Sequence, residues 1–144
     1  MTDPFATDEK RTVLVVDDDP SSLEVLKDFL ADEYEVRLAD SGAGALEAVK
    51  QDPRPDAILL DITMPGMDGF QVCALLKADE ATRDIPVIFL TAKADAENAE
   101  LAFELGCADY ITKPVLPPVV RARVRTHVTL RAAREYFKAQ RSRT

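Results

Sequence analysis

Cysteine is almost missing from this chain: there are two in 144 residues, Cys73 and Cys107. Two thiols support neither a disulfide framework nor a zinc site, and both stand among apolar neighbours. They read as buried free thiols of a reducing compartment. Long apolar runs are missing too. None approaches the roughly 20 residues that cross a bilayer. The stretch Met1 to Arg11 carries Asp3, Asp8 and Glu9 and lacks the apolar core of a secretory signal. No membrane association is therefore expected, and the expected location is the cytoplasm. The five glycines form no phosphate-loop fingerprint, and Ser41-Gly42-Ala43-Gly44 reads as a turn and helix start. Histidine occurs once, and His127 reads as a helix-surface or packing residue rather than a phosphohistidine.

What is present fits one folded domain: 47% apolar and 31% charged residues. The net charge of −8 argues against general nucleic-acid binding. That charge is unevenly divided. Eight basic residues, Arg121, Arg123, Arg125, Arg131, Arg134, Lys138, Arg141 and Arg143, follow position 120, and Glu135 is the only acid among them. The end of the chain is strongly positive and the remainder strongly acidic.

Three continuous apolar runs, Val13–Val16, Ala57–Leu60 and Val87–Leu90, have the composition of strands covered on both faces. Weaker strands are predicted at Tyr34–Ala39 and Ala108–Thr112. Helical patterns separate them. Leu23, Leu26, Phe29 and Leu30 form one face, with Asp19 as cap and Pro20 at the first position. Ala45, Leu46 and Val49 mark a second helix, and Phe70, Val72, Cys73, Leu75 and Leu76 a third. Ala99, Ala102, Phe103 and Leu105 mark a fourth, closed by Gly106. A fifth starts near Leu116-Pro117-Pro118; Val120, Val124 and Val128 dock it, and Leu130, Ala133 and Phe137 continue past the domain. The β-α order, repeated five times, predicts an α/β fold: a three-layer α/β/α sandwich around a five-stranded parallel sheet. We divide the chain into a tail (1–11), a domain (12–130) and a basic helical extension (131–144).

Ligands of such sheets bind beyond the carboxyl ends of the strands. There the sequence places Asp17, Asp18 and Asp19 after the first strand, Asp61 after the third, Thr91 and Ala92 after the fourth, and Lys113 and Pro114 after the fifth. Crowded carboxylates repel, and a hard dication such as Mg²⁺ relieves the repulsion. A carboxylate beside such an ion can attack phosphorus, while a lysine and a hydroxyl hold the phosphoryl oxygens.

Four segments carry a resemblance: Val15-Val16-Asp17-Asp18, Leu60-Asp61 through Met64-Pro65-Gly66-Met67-Asp68-Gly69, Leu90-Thr91-Ala92, and Ala108-Asp109-Tyr110-Ile111-Thr112-Lys113-Pro114. In this order and spacing they resemble a two-component response-regulator receiver domain over about residues 12–130. The resemblance implies a flavodoxin-like sheet of order 2-1-3-4-5. It makes Asp61 the phospho-acceptor and Asp17, Asp18, Asp61 and the backbone carbonyl of Thr63 the Mg²⁺ ligands. Thr91, Ala92 and Lys113 would bind the phosphoryl group, Tyr110 would be the aromatic switch, and the Lys113–Pro114 bond would be cis. Thr63 stands at a position that varies in the family and leaves the phosphoryl lifetime open.

The implied donor is a sensor histidine kinase or phosphotransfer protein. Pro117 to Val128 is similar to last helices of receivers whose extension leads into an output domain, cyclic-di-GMP synthases and phosphodiesterases among them. The chain thus reads as the receiver part of a longer regulator, with a stand-alone regulator as the alternative and a homodimer as one use of its last helix. The receiver is not itself expected to be an enzyme beyond its own phosphorylation and dephosphorylation. A haloacid-dehalogenase-type phosphohydrolase, with Asp17-Asp18-Asp19-Pro20-Ser21 as its motif, leaves the Asp61 segment unexplained. Direct DNA binding lacks a groove-reading pattern.

Overall fold

The computed structural model describes residues 10–92 and 96–142. Residues 1–9 of the expected tail lie outside them. Strands and helices alternate strictly: β1 (Arg11–Val16), α1 (Pro20–Leu30), β2 (Tyr34–Ala39), α2 (Gly42–Ala48), β3 (Ala57–Asp61), α3 (Gly69–Ala78), β4 (Val87–Thr91), α4 (Ala96–Glu104), β5 (Asp109–Thr112) and α5 (Pro117–Ser142). All strand pairs are parallel, in the order β2-β1-β3-β4-β5. This is the predicted flavodoxin-like sandwich.

The three apolar runs are buried throughout because each face of the sheet has its own core. On one face Leu14, Val16, Ile58, Leu60, Val87 and Phe89 pack against α2, α3 and α4 through Ala45, Val72, Cys73, Leu76 and Ala102. On the other, Val13, Val15, Leu59, Ile88 and Leu90 pack against Leu23, Leu26 and Leu30 of α1 and Val120, Val124 and Val128 of α5. Alternate residues of one strand thus serve different cores, which explains why no polar residue interrupts the runs.

Local chemistry starts the helices where expected. Asp19 caps α1 and accepts from the Ser21 N–H, with Pro20 following. Ser41 caps α2 through Gly44 N–H. Asp68 and Gln71 form a reciprocal capping box on α3. Two apolar residues that mark helices face outward: Leu75 is 49% exposed and Phe103 is 56% exposed. Their neighbours Cys73 and Leu76, and Ala102, already fill the positions beneath the sheet.

α5 is 26 residues long, and its basic residues are largely docking residues at first. Arg121 Nε donates to Phe29 O (2.9 Å), Arg125 pairs with Glu33 (2.7 Å), and Arg123 lies 3.5 Å from Asp109. Arg131 reaches Asp56 at the start of β3 (2.8 Å), and Ala132 is buried. The helix therefore stays anchored to the sheet through these residues before Arg134 and the remainder turn to solvent. Among the described residues no helix is long and apolar enough to cross a membrane.

Candidate phosphoryl and metal site

In the order β2-β1-β3-β4-β5 successive strands are added first on one side of β1 and then, from β3, on the other, and the carboxyl ends of β1 and β3 flank the crevice where such sheets take ligands. Ladder bonds continue just past the strand ends and hold the site residues in place. Asp17 N–H donates to Ala39 O (3.1 Å), Ile62 N–H to Leu90 O (3.1 Å) and Lys113 N–H to Thr91 O (2.7 Å). Side chains at Asp17, Asp61, Thr91 and Lys113 thus rise from backbone fixed by the sheet rather than from loose loops.

Asp17 and Asp61 are buried, Asp18 is exposed, and one carboxylate oxygen from each lies within 4.8 Å of the others. Lys113 Nζ bridges the two buried acids, 3.2 Å from Asp61 Oδ2 and 3.3 Å from Asp17 Oδ2. The second oxygens are also engaged: Asp61 Oδ1 accepts from Thr63 N–H (3.1 Å) and Asp17 Oδ1 from Asp19 N–H (3.0 Å). Thr91 is buried at the end of β4, next to the exposed Ala92. Tyr110, half-buried on β5, packs at the margin of the core beneath α2, α3 and α4. The Lys113–Pro114 bond is cis, and so is Asp52–Pro53.

Burial pushes the Asp61 carboxyl above its ordinary value. Lys113 opposes this and Asp17 adds to it. Burial works against the Lys113 ammonium as well, but Asp61 and Asp17 more than offset it and hold its pKa above the usual lysine value. The site therefore keeps its lysine charged and its central carboxylate strained by a like-charged neighbour, an arrangement that favours an added cation. The donor set is all oxygen, and its exposed member leaves water a way in, which suits Mg²⁺. Asp17, Asp18, Asp61, Thr91 and Lys113 come from four separate segments, and the fold brings them to one edge.

Sequence reading missed Gly69. A β-carbon there would stand 2.5 Å from Asp61 O and 2.8 Å from Ile62 Cα. The glycine lets α3 start directly against the backbone that carries Asp61, and its N–H donates to Ile62 O (2.8 Å). The Asp68-Gly69 pair reads from sequence as a turn and helix start, which hides this second role.

A doubly wound parallel fold with an acidic crevice, a bridging lysine and a buried threonine at the strand ends defines a receiver-type signalling domain. Comparison with known proteins agrees: residues 13–125 match the response regulator receiver domain family, and the chain belongs to that family. It is 43% identical over 129 residues to a Vibrio cholerae serotype O1 protein named "Probable cyclic di-GMP phosphodiesterase", covering 90% of this chain and 29% of that protein. It is 42% identical over 120 residues to the DNA-binding response regulator MtrA of Mycolicibacterium smegmatis, covering 83% of this chain and 51% of that one. Among solved structures, the Vibrio cholerae chemotaxis protein CheY4 superposes with a TM-score of 0.78 at 27% identity, covering 82% of this chain and 98% of that chain. The chain spans about half or less of the length of these two sequence relatives.

Proposed function

We propose that the chain is the phospho-accepting receiver of a two-component system, with Asp61 taking a phosphoryl group from a phosphohistidine of a sensor kinase or phosphotransfer protein. The observation that carries this reading is the Lys113 ammonium, 3.2 Å from Asp61 and 3.3 Å from Asp17 in a crevice with a third carboxylate. An Asp61 oxygen forms a new O–P bond as the N–P bond of the donor breaks, and the imidazole nitrogen leaves and takes up a proton. Lys113 sits where phosphoryl oxygens on Asp61 would arrive, and the Thr91 hydroxyl is a second donor for them. Asp17, Asp18, Asp61 and the Thr63 carbonyl would hold Mg²⁺. When bound, that ion neutralises the carboxylates and the charge of the transferring group.

Thr91 and Tyr110 lie on neighbouring strands, with Phe89 paired to Tyr110 and Thr91 to Thr112. We assign them the switch: a Thr91 drawn toward the phosphoryl group makes room for Tyr110 to move inward. The surface altered is that of α4, β5 and α5, where Leu101, Phe103, Leu116 and Val119 are exposed. Output then passes to a second copy or to a domain following α5, for which a cyclic-di-GMP enzyme is the leading class, with the stand-alone regulator as alternative. The setting is the cytoplasm, where the kinase's phosphohistidine is available. The phosphohydrolase reading would use Asp19 as the acid over the site, whereas Asp19 is occupied as the α1 cap with Ser21 N–H and Ser22.

The test is incubation with radiolabelled acetyl phosphate and Mg²⁺. Acid-labile label that hydroxylamine removes, present on the wild type and absent from Asp61→Asn, is the expected result. Equal labelling of the variant sinks the assignment.

A further inference from the structure

At the end of the sheet opposite the acidic crevice, the start of β4, the end of α3 and α5 enclose a cleft of about 400 Å³. Lys77, Arg83, Arg131, Arg134 and His127 line it, with Asp84 as the one carboxylate in its wall. The stem of Lys77 lies over Gly106, which has a φ of +90°, and its ammonium is held in place by the carbonyls of Arg83 and Ile85, both at 3.0 Å. Burial lowers the Lys77 pKa; Cys73, Asp84 and Cys107 oppose this, and Arg134 adds a smaller push downward.

The neighbouring acids do not cancel this charge. Asp109 is occupied by His127 (3.0 Å) and Arg123, and Asp56 and Glu135 hold the two terminal nitrogens of Arg131. Arg131 Nε is buried without a hydrogen-bond partner, the one such side-chain atom among the described residues. Arg134 has no ion pair among the described residues, and Arg83 has only a 3.7 Å contact with the exposed Glu80. With Arg131 committed, Lys77, Arg83 and Arg134 face Asp84 alone, which leaves the cleft two positive charges in excess. No Phe, Tyr or Trp lines it, and His127 is held by Asp109, so recognition there would come mainly from charge and hydrogen bonds.

We propose that this cleft binds a small anion carrying two phosphoryl groups, held by Lys77, Arg83 and Arg134. Its volume lies within the ordinary range of ligand sites, about 300–1,000 Å³. Guanidinium forks and a fixed ammonium are the donors that phosphate oxygens favour. An anion between Lys77 and Arg134 offsets the repulsion that Arg134 exerts on the Lys77 ammonium. The site is separate from the Asp61 crevice and does not depend on phosphorylation.

The experiment is calorimetric and NMR titration of the whole chain with inorganic pyrophosphate at about 0.15 M salt, with EDTA present so that the acidic crevice holds no metal. Saturable one-site binding is expected, with amide shifts at Gly106, Cys107 and His127. Arg134→Glu and Arg83→Glu should each weaken it about tenfold or more. Lys50→Glu, the same charge change on an exposed residue after α2, should alter it less than about twofold. Both arginines are exposed, so matching thermal melts check that the variants fold. Absence of saturation by about 10 mM overturns the proposal, as does equal weakening by Lys50→Glu. A preference for duplex oligonucleotide that grows with its length also overturns it. That result would mean that Arg134, Lys138 and Arg141, at four- and three-residue steps along α5, track an extended polyanion instead.

Discussion

Gly69 packs so closely on Asp61 that a β-carbon at position 69 would stand 2.5 Å from the Asp61 carbonyl oxygen. The obstacle is backbone on both sides, the second contact being Ile62 Cα at 2.8 Å, so no side-chain rotation relieves it. Gly69→Ala must therefore push α3 away from the end of β3. Overpacking of this kind costs about 1–3 kcal/mol. We expect a lower urea midpoint and, because Asp61 moves with its backbone, slower labelling by acetyl phosphate than the stability loss alone explains.

Without metal, the ionised Asp61 carboxylate is a burden on the fold. Burial and Asp17 hold its pKa above the unfolded value despite Lys113. The folded state thus binds more protons than the unfolded one in that interval. The stability contributed by protonated Asp61 is present below the unfolded pKa and is lost as pH rises through the folded one. In EDTA at neutral pH, Asp61→Asn should melt higher than wild type by about 2–4 °C for each kcal/mol relieved. The difference should close on acidification. Added Mg²⁺ should raise the wild-type midpoint and leave the variant's nearly unchanged, which differential scanning calorimetry reads directly.

Asp56 ties three parts of the chain. Its Oδ2 accepts from Thr12 N–H on β1 (2.9 Å), and its Oδ1 meets Arg131 of α5 (2.8 Å) and Arg11 (3.5 Å). Asp56→Ala leaves the largely buried Arg131 guanidinium without its main partner. Breaking a buried, hydrogen-bonded charge pair costs about 3–5 kcal/mol, and partial exposure here puts the expectation nearer the lower end. Hydrogen exchange should quicken from about Arg131 onward while the β1 to β4 amides keep most of their protection. If α5 exchanges no faster in the variant, Arg131 is not what anchors the helix.

Much of this fold is readable in one dimension because its signals are local. Val13–Val16, Ala57–Leu60 and Val87–Leu90 are apolar at every position since each lies between two cores. Asp19, Ser41 and Asp68 cap helices through bonds two or three residues away. The acidic crevice was legible because each of its residues ends a strand, and parallel strands end together. What stayed hidden depends on contacts between distant segments. The Gly69 contact depends on how α3 enters, the Asp56–Arg131 pair spans 75 residues, and Lys77, Arg83 and Arg134 share a cleft only after α5 has docked. Leu75 and Phe103 carry an apolar signal that the fold leaves at the surface.

Cys107 should be inert at neutral pH although it lines an open cleft. Burial pushes its thiol up to about 11, helped by Cys73 and Asp109. The thiolate is the reactive form. With that pKa it is about one part in a thousand at pH 8, against roughly a quarter for an unperturbed cysteine. Iodoacetamide should therefore label native protein slowly at Cys107 and at the buried Cys73, and label both at once in urea. The same shift has a consequence for stability. Between the unfolded value near 8.5 and the folded value of about 11, the folded state keeps a proton that the unfolded state has lost. Stability must then fall as pH rises through that window. Cys107→Ala removes the titrating group and leaves a small apolar side chain in its place. The urea midpoint of wild type should decline more steeply than that of Cys107→Ala from pH 8 to 10.5, and parallel curves would show that burial does not hold this thiol protonated.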